Sequence, residues 1–322
     1  MTTLAPLASE LDAVRSLLAE QLPYSPRDYI PGISRRGDRQ VFAEQLCGTL
    51  AAGDDLRFLT TLADGTRLAI FAERLAWDSE FFGYGMGRLH TVIPLESPLV
   101  RPLADYRPAL EAFVGEARRR SIRYLLAVVD PRELATLRAL GELGFALIET
   151  RYYHHGTVNP PLPRPDRLPI RLATVDDIPS LAEAARQTIN PYDRFHADPL
   201  LDPDRVAQLM EKWVEQSIVG SMADVTIVPD VPRPAAFVTY RYHREHWARW
   251  GVNLVQGMLS AVAPEFMGWM DRLDLEVLRH LKEIGAQHSF GSTQVTNRAI
   301  IWFAQEAGAR FGRCEHVLRS ML

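Results

Sequence analysis

The strongest constraint on the fold of this chain is an alternation of two hydrophobic periods that runs through its first half, stops at a proline-rich stretch, and runs again through its second half. In the first half, 57–62 and 68–73 read as strands joined by the turn Ala63-Asp64-Gly65, and 87–93 as a third strand. A helix follows, with Leu103, Tyr106, Leu110, Phe113 and Val114 on one face. An apolar strand at 124–129 comes next, then a helix opened by Asp130 and Pro131 and reaching about 143, then a strand at 145–154. Strands alternating with helices in this way specify an α/β fold with mixed sheets.

The break is the stretch 156–168, whose prolines and lack of apolar content mark a linker. Beyond it the same order returns. A strand at 170–173 is followed by Thr174 and Asp177 as the capping region of a helix to about 187. A second helix spans 203–217, and strands fall near 224–228, 235–243 and 253–262. Gly268 opens a long helix with Met270, Leu273, Val277, Leu281 and Ile284 as its stripe; a strand at 288–294, a helix at 297–307 and a strand at 311–319 complete the set. Ahead of the first strand, Leu11, Val14, Leu17, Leu18 and Leu22 give a helix over 8–22, with 23–40 read as loop and 41–51 as a second helix. The expected organisation is an N-terminal helical extension (1–55), an α/β domain (56–155), the linker (156–168) and a second α/β domain (169–322).

Composition excludes several classes. The 322 residues are 47% apolar with a net charge of −4, which suits a soluble globular protein and neither a nucleic-acid scaffold nor a protein held to anionic membranes. Basic residues do not interleave with aromatic ones. No run of eighteen apolar residues and no signal-peptide pattern is present, and Cys47 and Cys314 form neither a disulfide framework nor a metal spacing, so a cytoplasmic protein without metal is expected. No Walker loop, EF-hand or Ser-His-Asp order occurs. Gly83-Tyr84-Gly85-Met86-Gly87 leads into a strand, not a helix, and reads as a turn or bulge.

Three segments carry a family resemblance. Trp77-Asp78-Ser79-Glu80-Phe81-Phe82-Gly83 resembles the WDSEFFG motif of the TDP-fucosamine acetyltransferase group within the GNAT (N-acetyltransferase) superfamily. Arg194-Phe195-His196-Ala197-Asp198-Pro199, with Trp213-Val214-Glu215-Gln216-Ser217, is similar to that group's substrate-side segment. Thr293-Gln294-Val295-Thr296-Asn297 resembles its turn before the last helix. The resemblance implies two GNAT-like halves, each a mixed β-sheet flanked by helices, and the direct transfer of an acyl group from CoA to an amine. In such a reaction, backbone N–H groups of a splayed strand polarise the thioester carbonyl and a general acid protonates the departing thiolate.

The same resemblance shows where the chain departs. Gly268 is kept at the diphosphate-binding helix start, but Met267 stands where a basic residue is usual, Met270 where a second small residue is usual, and Glu265 adds a negative charge. A bulky Met270 is expected to block that loop. Counting back four residues from Gly308 gives Ala304 in place of the Tyr that protonates the thiolate. Weakened CoA binding follows, and a carrier-protein pantetheine arm, which needs no diphosphate grip, becomes an alternative donor. The cofactor-side candidates are Val262, Gly268, Trp269, Met270 and Asn297, the last also a good helix N-cap.

For the acceptor side, Arg194 grips an anionic group and His196 acts as acid or base, or the pair makes salt bridges to Asp193 or Asp198. Glu245, between His243 and His246, supplies a base or is one of three solvated residues at a strand end. Gln256, Met258, Ser260 and Val262 are expected on one face of the strand lining the acyl channel, which with Tyr192 makes Gln256 and Ser260 substrate-binding candidates. Trp77, Phe81 and Phe82 read as packing. Three functions fit: an acyltransferase of amino-sugar or natural-product biosynthesis using acetyl-CoA, another acyl-CoA or an acyl carrier protein; the same fold repurposed for a CoA-independent cyclisation, dehydration or decarboxylation; and a non-catalytic binding protein. The partner in the first two is a small molecule, with no nucleic acid and no membrane, and the sequence leaves a homodimer open.

Overall fold

Leu68, Ile70 and Ala72 alternate along one strand with Ala69 and Phe71, and all five are buried, so both faces of that strand must be covered. The computed structural model describes residues 3–51, 53–96, 99, 101–158 and 168–322; of the stretch read as a linker, 159–167 lie outside them. Contacts divide the chain into two units, Met1–Arg151 with Cys314–Leu322, and Tyr152–Arg313.

The first unit contains β1 (Ala5–Pro6), α1 (Leu11–Gln21), α2 (Arg35–Cys47), β2 (Phe58–Thr61), β3 (Arg67–Arg74), α3 (Ala76–Phe82), β4 (Gly85–Pro94), α4 (Arg107–Arg119), β5 (Ile122–Val129), α5 (Leu134–Glu142) and the start of β6 (Ala146–Thr157). Strands β1 to β4 pair antiparallel in succession, and β5 joins β4 in parallel after the α4 crossover. The last residues of the chain return antiparallel along β5, with His316 opposite Val129 and Met321 opposite Tyr124. Leu110 and Phe113 of α4 and Leu140 of α5 pack on the Leu68 and Ile70 face. Val14 and Leu18 of α1 and Ala43 and Leu46 of α2 cover the Ala69 and Phe71 face.

One boundary differs from the sequence reading. Helix α2 occupies 35–47, not 41–51, because Ser34 Oγ caps it by accepting the Gly37 N–H at 3.1 Å. The buried Asp38 then anchors its first turn, accepting from the Ser25 hydroxyl and from the Arg27 amide and guanidinium, each of the latter at 2.8 Å. The WDSEFFG segment is a helix closed by Gly83 at φ 79°. Within it, Ser79 Oγ donates to the Leu75 carbonyl at 2.6 Å and accepts the Met86 N–H at 2.9 Å. The Trp77, Phe81, Phe82 and Tyr84 rings pack in series, and the β4–β5 register shifts between Gly85 and Met86, so the glycines form a bulged strand start.

The second unit contains the end of β6, β7 (Ile170–Leu172), α6 (Ile178–Gln187), α7 (Pro203–Ile218), β8 (Val225–Pro229), β9 (Ala236–Arg241), α8 (Arg244–Trp250), β10 (Leu254–Val262), α9 (Trp269–Glu283), β11 (His288–Gln294), α10 (Arg298–Glu306) and the start of β12 (Arg310–Met321). Strands β7 to β10 pair antiparallel, and β11 joins β10 in parallel after the α9 crossover. Val238 and Val255 meet Leu273 and Val277 of α9 on one face; Phe237 and Ala261 meet Leu181 of α6 and Val214 of α7 on the other. Thr174 and Asp177 form the expected capping box ahead of α6. Each unit is therefore a mixed sheet flanked by helices, with one parallel strand pair made by a helical crossover.

Candidate active site

The parallel pair of the second unit does not stay closed. β10 and β11 pair at Leu254 with His288, Val255 with Ser289 and Gln256 with Phe290, yet β10 continues to Val262 and β11 to Gln294. Beyond Gln256 the facing backbone edges are not bonded to each other, which leaves N–H and C=O groups pointing into the opening. On its other edge β10 carries a bulge: Gly257 lies opposite Tyr240, but Ser260 lies opposite Val238. The extra residue switches the side-chain alternation. Ser260 and Val262 pair with Val238 and Ala236, whose side chains face α9, whereas Gln256 pairs with Arg241 on the other face. The expectation that Gln256, Met258, Ser260 and Val262 share one face is overturned by this bulge.

The loop after α6 runs across the open ends of both strands. Thr188 Oγ1 lies 3.4 Å from the Val262 carbonyl of β10, and Asn190 Nδ2 donates to Gln294 Oε1 at the end of β11. Asn190 Oδ1 in turn accepts the Tyr192 N–H at 3.0 Å, while the Tyr192 side chain is exposed. Asn297 Oδ1 caps α10 through the Ile300 N–H, and its Nδ2 donates to Thr293 Oγ1 at 2.9 Å. Thr188 and Asn190 escaped the sequence reading; as two polar residues either side of Ile189, between a helix end and Pro191, they carry no pattern of their own.

Farther along this loop, Asp193 Oδ1 accepts the Phe195 and His196 amides, and Asp193 Oδ2 lies 2.7 Å from His196 Nδ1. That carboxylate fixes the imidazole with Nε2 as the basic nitrogen. Phe195 is buried and meets Trp213 edge-on, and the Arg194 guanidinium stacks 3.9 Å above the Phe195 ring. Asp193 and His196 thus form a pair within the loop.

At the start of α9, Gly268 adopts φ 89° and no side chain caps the helix, so its first N–H groups lack a capping acceptor. A Cβ at Gly268 would meet nothing within 4 Å. Met267 is 84% exposed, and Arg272 places its guanidinium 5.1 Å from the Trp269 ring. Met270 and Trp269 pack partly buried against the α9-side core together with Val262.

His243 and His246 follow the end of β9 half-buried, where a solvated position was the alternative. His243 takes φ 54° and initiates α8, and its Nε2 lies 2.9 Å from Gln256 Oε1 at the last rung of the β10–β11 ladder. Its ring stacks on Phe290 and meets the fully buried Trp250. Glu245 remains mostly exposed, 3.6 Å from His246 Nε2, so the structure joins His243 to Gln256 and leaves Glu245 outside that pair. Ala304 is buried in α10. Among the described residues no His, Cys, Asp and Glu group is placed to hold a metal, and no helix is long and apolar enough to cross a membrane.

Comparison with known proteins places this geometry in a class. No family model and no curated protein matches the chain; the likeness to the TDP-fucosamine group rests on the three segments alone. Solved structures do match. A GCN5-related N-acetyltransferase from Sphaerobacter thermophilus is 12% identical with a TM-score of 0.58, over 99% of this chain and 95% of that one. A tandem GNAT protein from the clavulanic acid biosynthesis pathway is 12% identical with a TM-score of 0.56, over 100% and 98% of the two chains. The glucosamine N-acetyltransferase region of a fungal multi-domain GH3 β-N-acetylglucosaminidase is 12% identical with a TM-score of 0.61, over 99% of this chain and 38% of that one. At these identities the likeness establishes the fold: α/β, with two GNAT-like halves.

Proposed function

We propose that the protein is an N-acyltransferase of small-molecule biosynthesis, passing an acyl group from a pantetheine thioester to an amine. The observation that carries this reading is the divergence of β10 and β11 beneath the loop of Thr188, Asn190 and His196. A pantetheine arm lying between the strands would meet the unbonded edge of β10, whose N–H groups then polarise the thioester carbonyl. The acceptor's nitrogen attacks that carbon, the C–S bond breaks, and the sulfur leaves as a thiolate that takes its proton from water. His196, oriented by Asp193, takes the proton the amine loses. Arg194, on the same loop, would bind an anionic group of the acceptor.

The donor side fits a pantetheine arm better than a full CoA. The uncapped α9 start and Gly268 offer N–H groups to a phosphate, but Met267 supplies no cation there. Loss of one charge-assisted phosphate contact weakens binding by about 1.5–3 kcal/mol, so we favour a carrier-bound donor over free acetyl-CoA. The amino-sugar and natural-product settings of the fold neighbours support a polar amine as acceptor.

The test is thiol release from acetyl-CoA and from an acetylated carrier protein, measured against a panel of amino sugars and amino acids. His196→Ala should lower kcat by about 10²–10⁴-fold, and Arg194→Ala should raise KM for an anionic acceptor. Absence of thiol release from either donor, with no change in melting temperature, would overturn the proposal. A second reading is carried by Ala304: with no hydroxyl at that buried position, the fold would perform a CoA-independent cyclisation, dehydration or decarboxylation. It predicts turnover without any thioester.

A further inference from the structure

The first unit contains a recess of its own, where β4 and β5 part. Their ladder ends with Leu89 opposite Ala127, while β4 continues to Pro94. Tyr24, Thr91, Tyr106, Glu133 and Thr136 line this small recess, which is open to solvent at its mouth. Glu133 accepts from the Tyr24 hydroxyl at 2.6 Å, the Thr91 hydroxyl at 3.0 Å and the Val92 backbone N–H. All three donors are neutral, and among the described residues no cation pairs with this carboxyl. The nearby cations are committed elsewhere: Arg132 to Asp130 at 2.8 Å and over the Tyr24 ring, and Arg101 to Thr66 at 2.7 Å and Asp64 at 3.6 Å. One turn into α5, Thr136 is 1% exposed and its hydroxyl has no hydrogen-bond partner. A carboxyl without a counter-ion and an orphaned hydroxyl beside it describe a site lacking a donor.

We propose that this recess is a second small-molecule site, separate from the acyl-transfer site, which takes a compact alkylammonium ion with its nitrogen donating to Glu133 and Thr136. The hydrocarbon body of such a ligand lies against Leu22, Val92 and Ala135. The carboxyl disfavours phosphates and carboxylic acids, so the recess is not a duplicate thioester-donor site. Burial, outweighing the hydrogen bonds, pushes the Glu133 carboxyl up to about 7, and an ammonium partner restores its charge.

The test is calorimetric titration of the full chain with isobutylamine and its shape-matched controls isobutanol and isobutyrate. Isobutylamine should bind saturably, and about tenfold more tightly at pH 8 than at pH 6, as Glu133 ionises. Of the groups facing Glu133, Tyr24 is held well above its ordinary value and Tyr106 is raised to about 12, both by burial, and Arg132 is raised by its hydrogen bonds to Asp130; Arg101 is the other charged group nearby. The alcohol and the acid should not bind. Glu133→Gln should abolish binding, and Thr136→Val, nearly isosteric, should weaken it several-fold without lowering the melting temperature. Equal binding of amine and alcohol, absence of saturation, or unchanged binding in Glu133→Gln and Thr136→Val would overturn the proposal. So would binding that disappears with His196→Ala instead, which would assign the amine to the second unit.

Discussion

Single positions carry much of the backbone geometry. A Cβ at Gly85 would stand 2.0 Å from the Ser121 carbonyl oxygen, and that oxygen belongs to the backbone of a neighbouring strand start. Gly85→Ala should therefore cost about 1–3 kcal/mol, read as a lower urea midpoint, whereas Gly53→Ala, in open space with only its φ of 90° to strain it, should cost about 1 kcal/mol. Asp177 is the matching case for charge. Arg171 grips both its oxygens, at 2.6 and 2.8 Å, and this pulls the carboxyl down to about 2. Its stabilisation is full above the ordinary carboxylate range and is lost as pH falls from about 4 toward 2. Acid denaturation of Asp177→Asn should show a shallower slope in that window; an identical slope would remove the pair from the account.

At the scale of elements, helix starts and one bulge set the site. Ser34→Ala should destabilise the protein by about 1 kcal/mol through loss of the α2 cap. Asn190→Ala should free the loop from β11 with a small effect on global stability, faster amide exchange over 188–201, and a raised KM for the acceptor. If exchange there is unchanged, the loop is held by other contacts. The α8 helix shows why some elements escaped the sequence. It is one short segment bounded by His243 and Gly251, both in the left-handed region, and it carries no repeat long enough to display a period. The bulge at Gly257 to Ser260 escaped for a different reason: alternation in the sequence assumes an unbroken pleat, and one extra residue reverses it.

For the whole molecule, the first unit depends on the last residues of the chain. Val317 and Leu318 are buried, Leu318 belongs to the same core as Ile70 and Phe113, and the segment pairs with β5 from Tyr124 to Val129. Deleting 314–322 should expose that edge of β5 and give an aggregating protein. A fragment of residues 1–155 should behave likewise until a peptide of residues 310–322 is added. Folding of the fragment alone, by circular dichroism and a cooperative melt, would contradict this dependence.

Hydrophobic period, turn residues and capping groups were enough to lay out almost all the strands and helices, because each of these signals acts within a few residues of itself. The family resemblance, and not these signals, drew attention to the loop of Arg194 and His196 and to the α9 start at Gly268. Pairings at long range were not accessible in that way. Tyr24 meets Glu133 across 109 residues and Asn190 meets Gln294 across 104, and neither contact leaves a trace in local pattern. The face on which Gln256 lies, the opening between β10 and β11, and the course of the last strand beside β5 all depend on backbone register, a property of two paired strands that neither strand's own residues encode.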